Sequence, residues 1–328
     1  MTIRYWLPIA ALTAGLVSVV YAVAVSSIGT EPLVVASAAA PLAALGFVAI
    51  RIGRWPRPIS VIGGATIGPA FAVVGGGVVF GIVFAFFSDT LFQAADFVAA
   101  LVSESTGSSL VGELTAPSAM FLIAEVAIVV PATEEIGKVV GAGVWRSTTR
   151  QEAFIAGVGA GVGFAIVENL LYATQSSILG PSGEAVATLR MIGVAVHPLA
   201  TAMVALGWWE WRRHRDLRSS VAHGLSGIGI HGLWNGSLAV LILVGDSYGV
   251  VGLGDFGIMT ISCMTALGII AAGGLWALTH SVASDEKASA AITATDGRVL
   301  AGWIVLATVF LIPVMMLAFA FPGIVAAS

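Results

Sequence analysis

Eight ionisable side chains, Glu125, Glu134, Glu135, Lys138, Glu168, His197, His223 and His231, lie between residues 119 and 244 within stretches otherwise built from Ala, Gly, Val, Leu and Ile. Carboxylates and imidazoles are the groups that move protons or bind metal near neutral pH, and a lysine supplies a fixed positive charge. In the run Pro131-Ala132-Thr133-Glu134-Glu135-Ile136-Gly137-Lys138, helical periodicity puts Glu134 and Lys138 on one face and turns Glu135 aside. Pro131 frees a carbonyl one turn earlier and bends the helix, which a membrane tolerates beside a water-filled cavity. Phe164, Glu168 and Tyr172 share one face at i, i+4 and i+8, while His197 precedes Thr201, and His231 precedes Asn235, by one turn. Three glutamates against Lys138 leave a charge of −2 with neutral imidazoles. A dry interior does not sustain that charge, so protonated histidines, a protonated glutamate or one divalent cation must offset it, and these remain open.

The elements that carry these residues follow from composition. Of the 328 residues, 58% are hydrophobic and 10% charged, and the mean hydropathy is +1.00, which excludes an ordinary soluble enzyme. Apolar runs long enough to cross a bilayer recur near 6–28, 32–52, 61–87, 119–145, 153–179, 187–211, 219–244, 256–280 and 299–321. The expected fold class is therefore all-α, a polytopic transmembrane bundle of about nine spans in the cell membrane. With this count, 12 of the 14 basic residues fall on one side, from Arg4 through Arg51, Arg146 and Arg212 to Arg298. The opposite loops hold Arg190 together with acidic residues, so the amino terminus is expected in the cytoplasm and the carboxyl terminus outside. Arg4 followed by an apolar stretch ending in Ala22-Val23-Ala24 also fits a cleaved signal sequence.

Charge at depth divides the chain into three spans with an external loop (1–118), a four-helix catalytic core (119–244) and two further spans (245–328). Within 88–118, residues 96–102 suit a short helix on the membrane surface or a linker, and Ser281 to Asp296 reads as a flexible connector. Gly157, Gly159, Gly161 and Gly163 read as close helix packing; no strand precedes them, so nucleotide binding is rejected. The lone Cys263 excludes an intrachain disulfide, and no basic tail suggests nucleic acid. Glu125 and His223 read as cavity lining or packing, and His214 and His280 as loop residues.

The constellation resembles the PrsW family of intramembrane proteases. The resemblance rests on Glu134-Glu135-x-x-Lys138, Phe164-x-x-x-Glu168-Asn169-x-x-Tyr172, Arg190 seven residues before His197, and His231-x-x-x-Asn235. It covers about residues 119–244 and is similar at a distance to CAAX-processing and bacteriocin-processing membrane endopeptidases. It implies catalytic roles for Glu134, Glu135, Lys138, Glu168, Asn169, His197, His231 and Asn235, and a single-pass membrane protein or membrane-anchored peptide as substrate. Glu134, the first of the pair, is the base the resemblance favours, with His197 assisting proton transfer to the leaving amine. His231 and Asn235 are expected to donate to the oxyanion, Glu168 to orient a histidine or water, and Lys138 to fix the glutamate pair.

The leading expectation is a glutamic-type intramembrane endopeptidase with no cofactor. A first alternative is a zinc-dependent protease with Zn²⁺ on Glu168, His197 and His231, a donor set that a catalytic zinc site accepts. A second is a proton- or cation-coupled transporter, because intramembrane carboxylates and histidines also form proton relays. The bilayer is an expected partner under every reading.

Overall fold

The computed structural model describes residues 31–57, 59–78, 81, 82, 93, 122–179, 189, 190, 192–248 and 254–287. Among them every regular element is helical: α1 (Glu31–Ile52), α2 (Ile59–Val78), a π turn (Glu125–Val129) running into α3 (Val130–Gly141), a 3₁₀ turn (Val144–Arg146), α4 (Arg150–Leu179), α5 (Val196–His214), α6 (Leu217–Tyr248) and α7 (Gly254–Lys287). Three helical segments among the described residues, Ile59–Val78, Arg150–Asn169 and Ser262–Ser284, are long and apolar enough to cross a membrane. The expected spans 6–28 and 299–321, the Ala22-Val23-Ala24 site and the surface helix at 96–102 lie outside the described residues. The expected connector from Ser281 is helical as far as Lys287, with Val282 and Ala283 buried, because α7 packs past its predicted end; its remainder lies outside the described residues.

One hydrophobic core joins Phe47 and Val48 of α1, Phe154 and Val158 of α4, Leu206 of α5, Trp234 of α6 and Met264 of α7. Large apolar side chains also point outward, among them Ile62, Val73 and Val74 of α2, Leu225 and Leu233 of α6, and Ile269 and Ile270 of α7. A belt of exposed Ile, Val and Leu on helices with a packed core is the surface a protein presents to lipid.

Glycines set how closely the helices approach. Gly157 and Gly161 face α5, where a Cβ would come 2.8 Å from the Thr201 carbonyl oxygen and 2.4 Å from that of His197. Gly159 and Gly163 face the other way, against Pro56 and Val61. The four-residue spacing within each pair thus builds two interfaces on one helix, and contact at backbone distance is what small residues permit in a bilayer. The same device joins α2 to α3, where Gly63 and Gly141 meet backbone to backbone.

The approach to α3 is shaped by Pro131, which has no N–H to offer the carbonyl four residues earlier, that of Ala127. There the backbone widens into the π turn, a form that recurs near functional sites. Gly232 of α6 lies against the same Ala127 carbonyl, with room for no side chain: a Cβ would sit 2.0 Å from the oxygen. This contact fixes α3 against α6 next to His231. Gly232→Ala should therefore cost about 1–3 kcal/mol as an overpacked position, read as a lower unfolding midpoint in detergent. Gly273→Ala, where nothing lies within 4 Å of the added carbon, should be neutral or slightly stabilising, and equal effects of the two would contradict this packing.

Candidate active site

Lys138 is wholly buried near the end of α3, and its ammonium reaches three acceptors. Nζ lies 2.7 Å from Glu135 Oε1, 3.4 Å from Glu134 Oε2 and 3.3 Å from His197 Nδ1. Phe164 of α4 covers the head group, with its ring centroid 3.6 Å away. Gly68 of α2 makes the closure tight, since a Cβ there would touch the Phe164 ring at 2.8 Å and the Lys138 stem at 3.0 Å.

Glu135 does not turn aside. It is fully buried, and its Oε1 accepts from Lys138 and, at 2.8 Å, from His231 Nδ1, while Oε2 accepts from Thr201 Oγ1 at 2.7 Å. Helical phase alone separates Glu135 from Glu134, but α5 and α6 converge from two sides, and Lys138 stands at i+3 to one glutamate and i+4 to the other. Glu134 is held more loosely: its contacts with Lys138 and with His231 Nε2 are both 3.4 Å.

A second ion pair closes the other flank. Glu168 Oε2 is ion-paired with Arg190 Nη2 and lies 2.8 Å from His197 Nε2, and the Arg190 guanidinium stacks over Tyr172 at 4.2 Å. Arg190 is therefore a buried member of the site, 3% exposed, not a charge in an external loop. Counting it, three carboxylates face two fixed cations, and the balance with neutral imidazoles is −1, not −2.

Each imidazole has a carboxylate on one nitrogen. His231 donates Nδ1–H to Glu135, and His197 Nε2 lies 2.8 Å from Glu168 Oε2 and 3.3 Å from Arg190 Nη2. Their other nitrogens, Nε2 of His231 and Nδ1 of His197, face the space beside Glu134 and Lys138, and the two rings meet edge to face at 4.6 Å. Asn235 Nδ2 lies 3.2 Å from His231 Nε2, and its Oδ1 is buried with no protein partner among the described residues.

The sequence-predicted residues Glu134, Glu135, Lys138, Glu168, His197, His231 and Asn235 thus occupy one cluster. Asn169 is buried next to it, with its backbone carbonyl accepting from Ser37 Oγ at 3.2 Å. Sequence reasoning assigned no role to Arg190 or Thr201, although the first stands seven residues before His197 and the second one turn after it. His223 bonds back to its own helix through the Ser219 carbonyl, 2.9 Å away, and lies apart from the cluster. Glu125 opens the π turn and is not buried.

For a metal, the donor atoms that converge are those of Glu134, His197 and His231, all within 4.8 Å of one another. Glu168, expected in that set, is engaged by Arg190 and His197 instead. One carboxylate and two imidazoles, each imidazole oriented by a second carboxylate, fit a catalytic zinc site in donor type. The Lys138 ammonium, however, is in contact with two of the three donors.

No curated protein and no solved structure matches this chain. The family model described as PrsW family intramembrane metalloprotease matches residues 68–266, more than half of the chain and a range that contains every residue of the cluster. A peptide hydrolase of that kind accounts for the buried carboxylates and imidazoles and sets aside a transporter: the chain belongs to the PrsW family of intramembrane proteases.

Proposed function

We propose that this protein hydrolyses a peptide bond in or near a membrane-anchored substrate, with Glu134 as the group that activates water. The observation that carries the reading is the unequal bonding of the three carboxylates. Glu135 takes three short bonds, from Lys138, Thr201 and His231, and Glu168 is ion-paired with Arg190 and His197, whereas both contacts of Glu134 are 3.4 Å long. Charge-assisted bonds are normally shorter, near 2.7–2.9 Å, so about half an ångström of slack marks Glu134 as the carboxylate free to change partner.

In this mechanism Glu134 takes a proton from water as the oxygen attacks the scissile carbonyl, and the proton passes to the departing amine with His197 assisting. His231 and Asn235 stand beside Glu134, and the Asn235 amide, with Nδ2 3.2 Å from His231 Nε2, carries a second N–H as a donor and an unpaired Oδ1 as an acceptor. The Asn235 amide N–H opposes the charge that develops on the carbonyl oxygen, while His231, its Nδ1–H given to Glu135, offers its Nε2 lone pair to the pocket. Lys138 stays bonded to Glu135 and remains a fixed positive charge beside Glu134 as Glu134 gains and loses its proton. A substrate helix has to unwind locally before attack, because its amides are shielded by their own hydrogen bonds. The proposed substrate is a single-pass membrane protein or a membrane-anchored peptide reaching the site from the bilayer, and the proposed setting is the cell membrane, crossed several times.

A second reading is favoured by the convergence of Glu134, His197 and His231 within 4.8 Å and by the family's description as metalloproteases. Those three residues would hold the ion, and a bound divalent metal supplies Lewis-acid polarisation of the carbonyl and a more acidic water. Glu135 and Glu168 would then keep the two imidazoles in register, and the Lys138 head group would have to leave Glu134 and His197.

Three outcomes follow. Glu134→Gln should abolish cleavage of a reconstituted single-pass substrate with the protein still assembled, and retained turnover would refute the assignment. Metal analysis of the purified protein, with cleavage assayed before and after chelation, separates the two readings: one zinc per chain and chelator-sensitive turnover select the second, metal-free turnover the first. Lys138→Met should lower stability by about 3–5 kcal/mol, as expected when one partner of a buried ion pair is removed, and an unchanged unfolding midpoint would contradict its place at the centre of the network.

A further inference from the structure

Thr201 makes an unusual choice of partner. Hydroxyls on helices commonly bond back to a carbonyl one turn earlier. Thr66, Thr133, Ser237 and Thr279 all do so here, to Ile62, Val129, Leu233 and Leu275. Thr201 instead gives its proton to Glu135 Oε2, 66 residues away on α3, at 2.7 Å and with no exposure to solvent. On its other side the α5 backbone at Thr201 and His197 is packed against Gly157 and Gly161 of α4.

From this bond we infer that Thr201 is a positioning residue that decides which of the two adjacent glutamates is reactive. The inference rests on the proposed role of Glu134. With Oε2 engaged by the hydroxyl, Glu135 has only Oε1 left for Lys138 and His231, and all three bonds are short. The carboxylate cannot turn without breaking one of them. It is held as an acceptor for His231 Nδ1–H, so the lone pair of His231 Nε2 faces Glu134 Oε2 at 3.4 Å and Asn235 Nδ2 at 3.2 Å. Removing the hydroxyl leaves a buried carboxylate oxygen without its donor, a state that is relieved by rotation of Glu135. The rotation releases His231 from its single tautomer and makes Glu135 a competitor for the proton that Glu134 handles. Thr201 acts through Glu135 and touches no reacting atom.

The test reads the imidazole directly. With five histidines in the chain, ¹⁵N-histidine labelling of the full-length protein in nanodiscs gives few signals, and His231→Gln assigns that of His231. Wild type should show His231 as one tautomer, protonated at Nδ1. Thr201→Val, which keeps the side chain's shape, should lose that pattern and give exchange-averaged nitrogens, and Thr201→Ser should restore it. A wild-type His231 protonated at Nε2, or a Thr201→Val protein with the wild-type pattern, overturns the inference. A lower unfolding midpoint with an unaltered His231 pattern does so too, since that is what a purely structural threonine would give. Should the valine variant fail to assemble, Thr201→Cys, whose thiol is a weak donor, serves the same comparison, and the wild-type tautomer remains decisive by itself. These signals do not depend on turnover: a wild-type protein with the predicted tautomer that cleaves no substrate would count against the proposed function and leave this inference standing.

Discussion

The ammonium of Lys138 is the point on which the rest of the site depends. A fully buried cation costs several kcal/mol to desolvate and is tolerated only when its donors are all used. Here they are: one N–H goes to Glu135, one to Glu134 and one to His197 Nδ1, with the Phe164 ring over the head group. Each acceptor is itself a member of the buried cluster, and they come from α3 and α5. The lysine therefore does more than offset charge. It ties the glutamate pair to an imidazole from another helix, and the geometry among them is set by what the ammonium can reach.

Around that centre the two remaining carboxylates act as orienting groups. Glu135 and Glu168 each take one imidazole by a nitrogen, and each is itself restrained, the first by Thr201 and the second by Arg190. Such layering is the usual way a site keeps reactive side chains in register. It demands helices close enough for side chains from α3, α4, α5 and α6 to meet, and the glycine contacts supply that closeness. The π turn before Pro131 is next to the most tightly bonded residues. Pro131 unsettles the helix locally, and Gly232 pins the displaced carbonyl.

Much of this was legible in the sequence because ionisable groups in an apolar chain are expensive, so their positions alone marked the site. The convergence of Glu134, Lys138, Glu168, His197, His231 and Asn235 follows from that rule and from helical spacing. What was not legible depended on neighbours that are distant in the chain. Glu135 was expected to face away, because one helix seen alone has an inside and an outside, whereas α3 is flanked by partners on both. Arg190 was grouped with the external loops, because a basic residue between two apolar runs looks solvated until Glu168 and Tyr172 are found against it. The donor set was read with Glu168 in place of Glu134 for the same reason: only the guanidinium reveals that Glu168 is already committed.

Two consecutive glutamates are bonded unequally, Glu135 by three short bonds and Glu134 by contacts of 3.4 Å. The most direct measurement compares the thermal unfolding midpoints of Glu134→Gln and Glu135→Gln in the same detergent at neutral pH. Loss of the Glu135 charge strips Lys138 and His231 of their closest partner, so this variant should unfold at a much lower temperature, in keeping with about 3–5 kcal/mol for a broken buried pair, while Glu134→Gln stays near wild type. Equal losses, or a greater loss in Glu134→Gln, would contradict it.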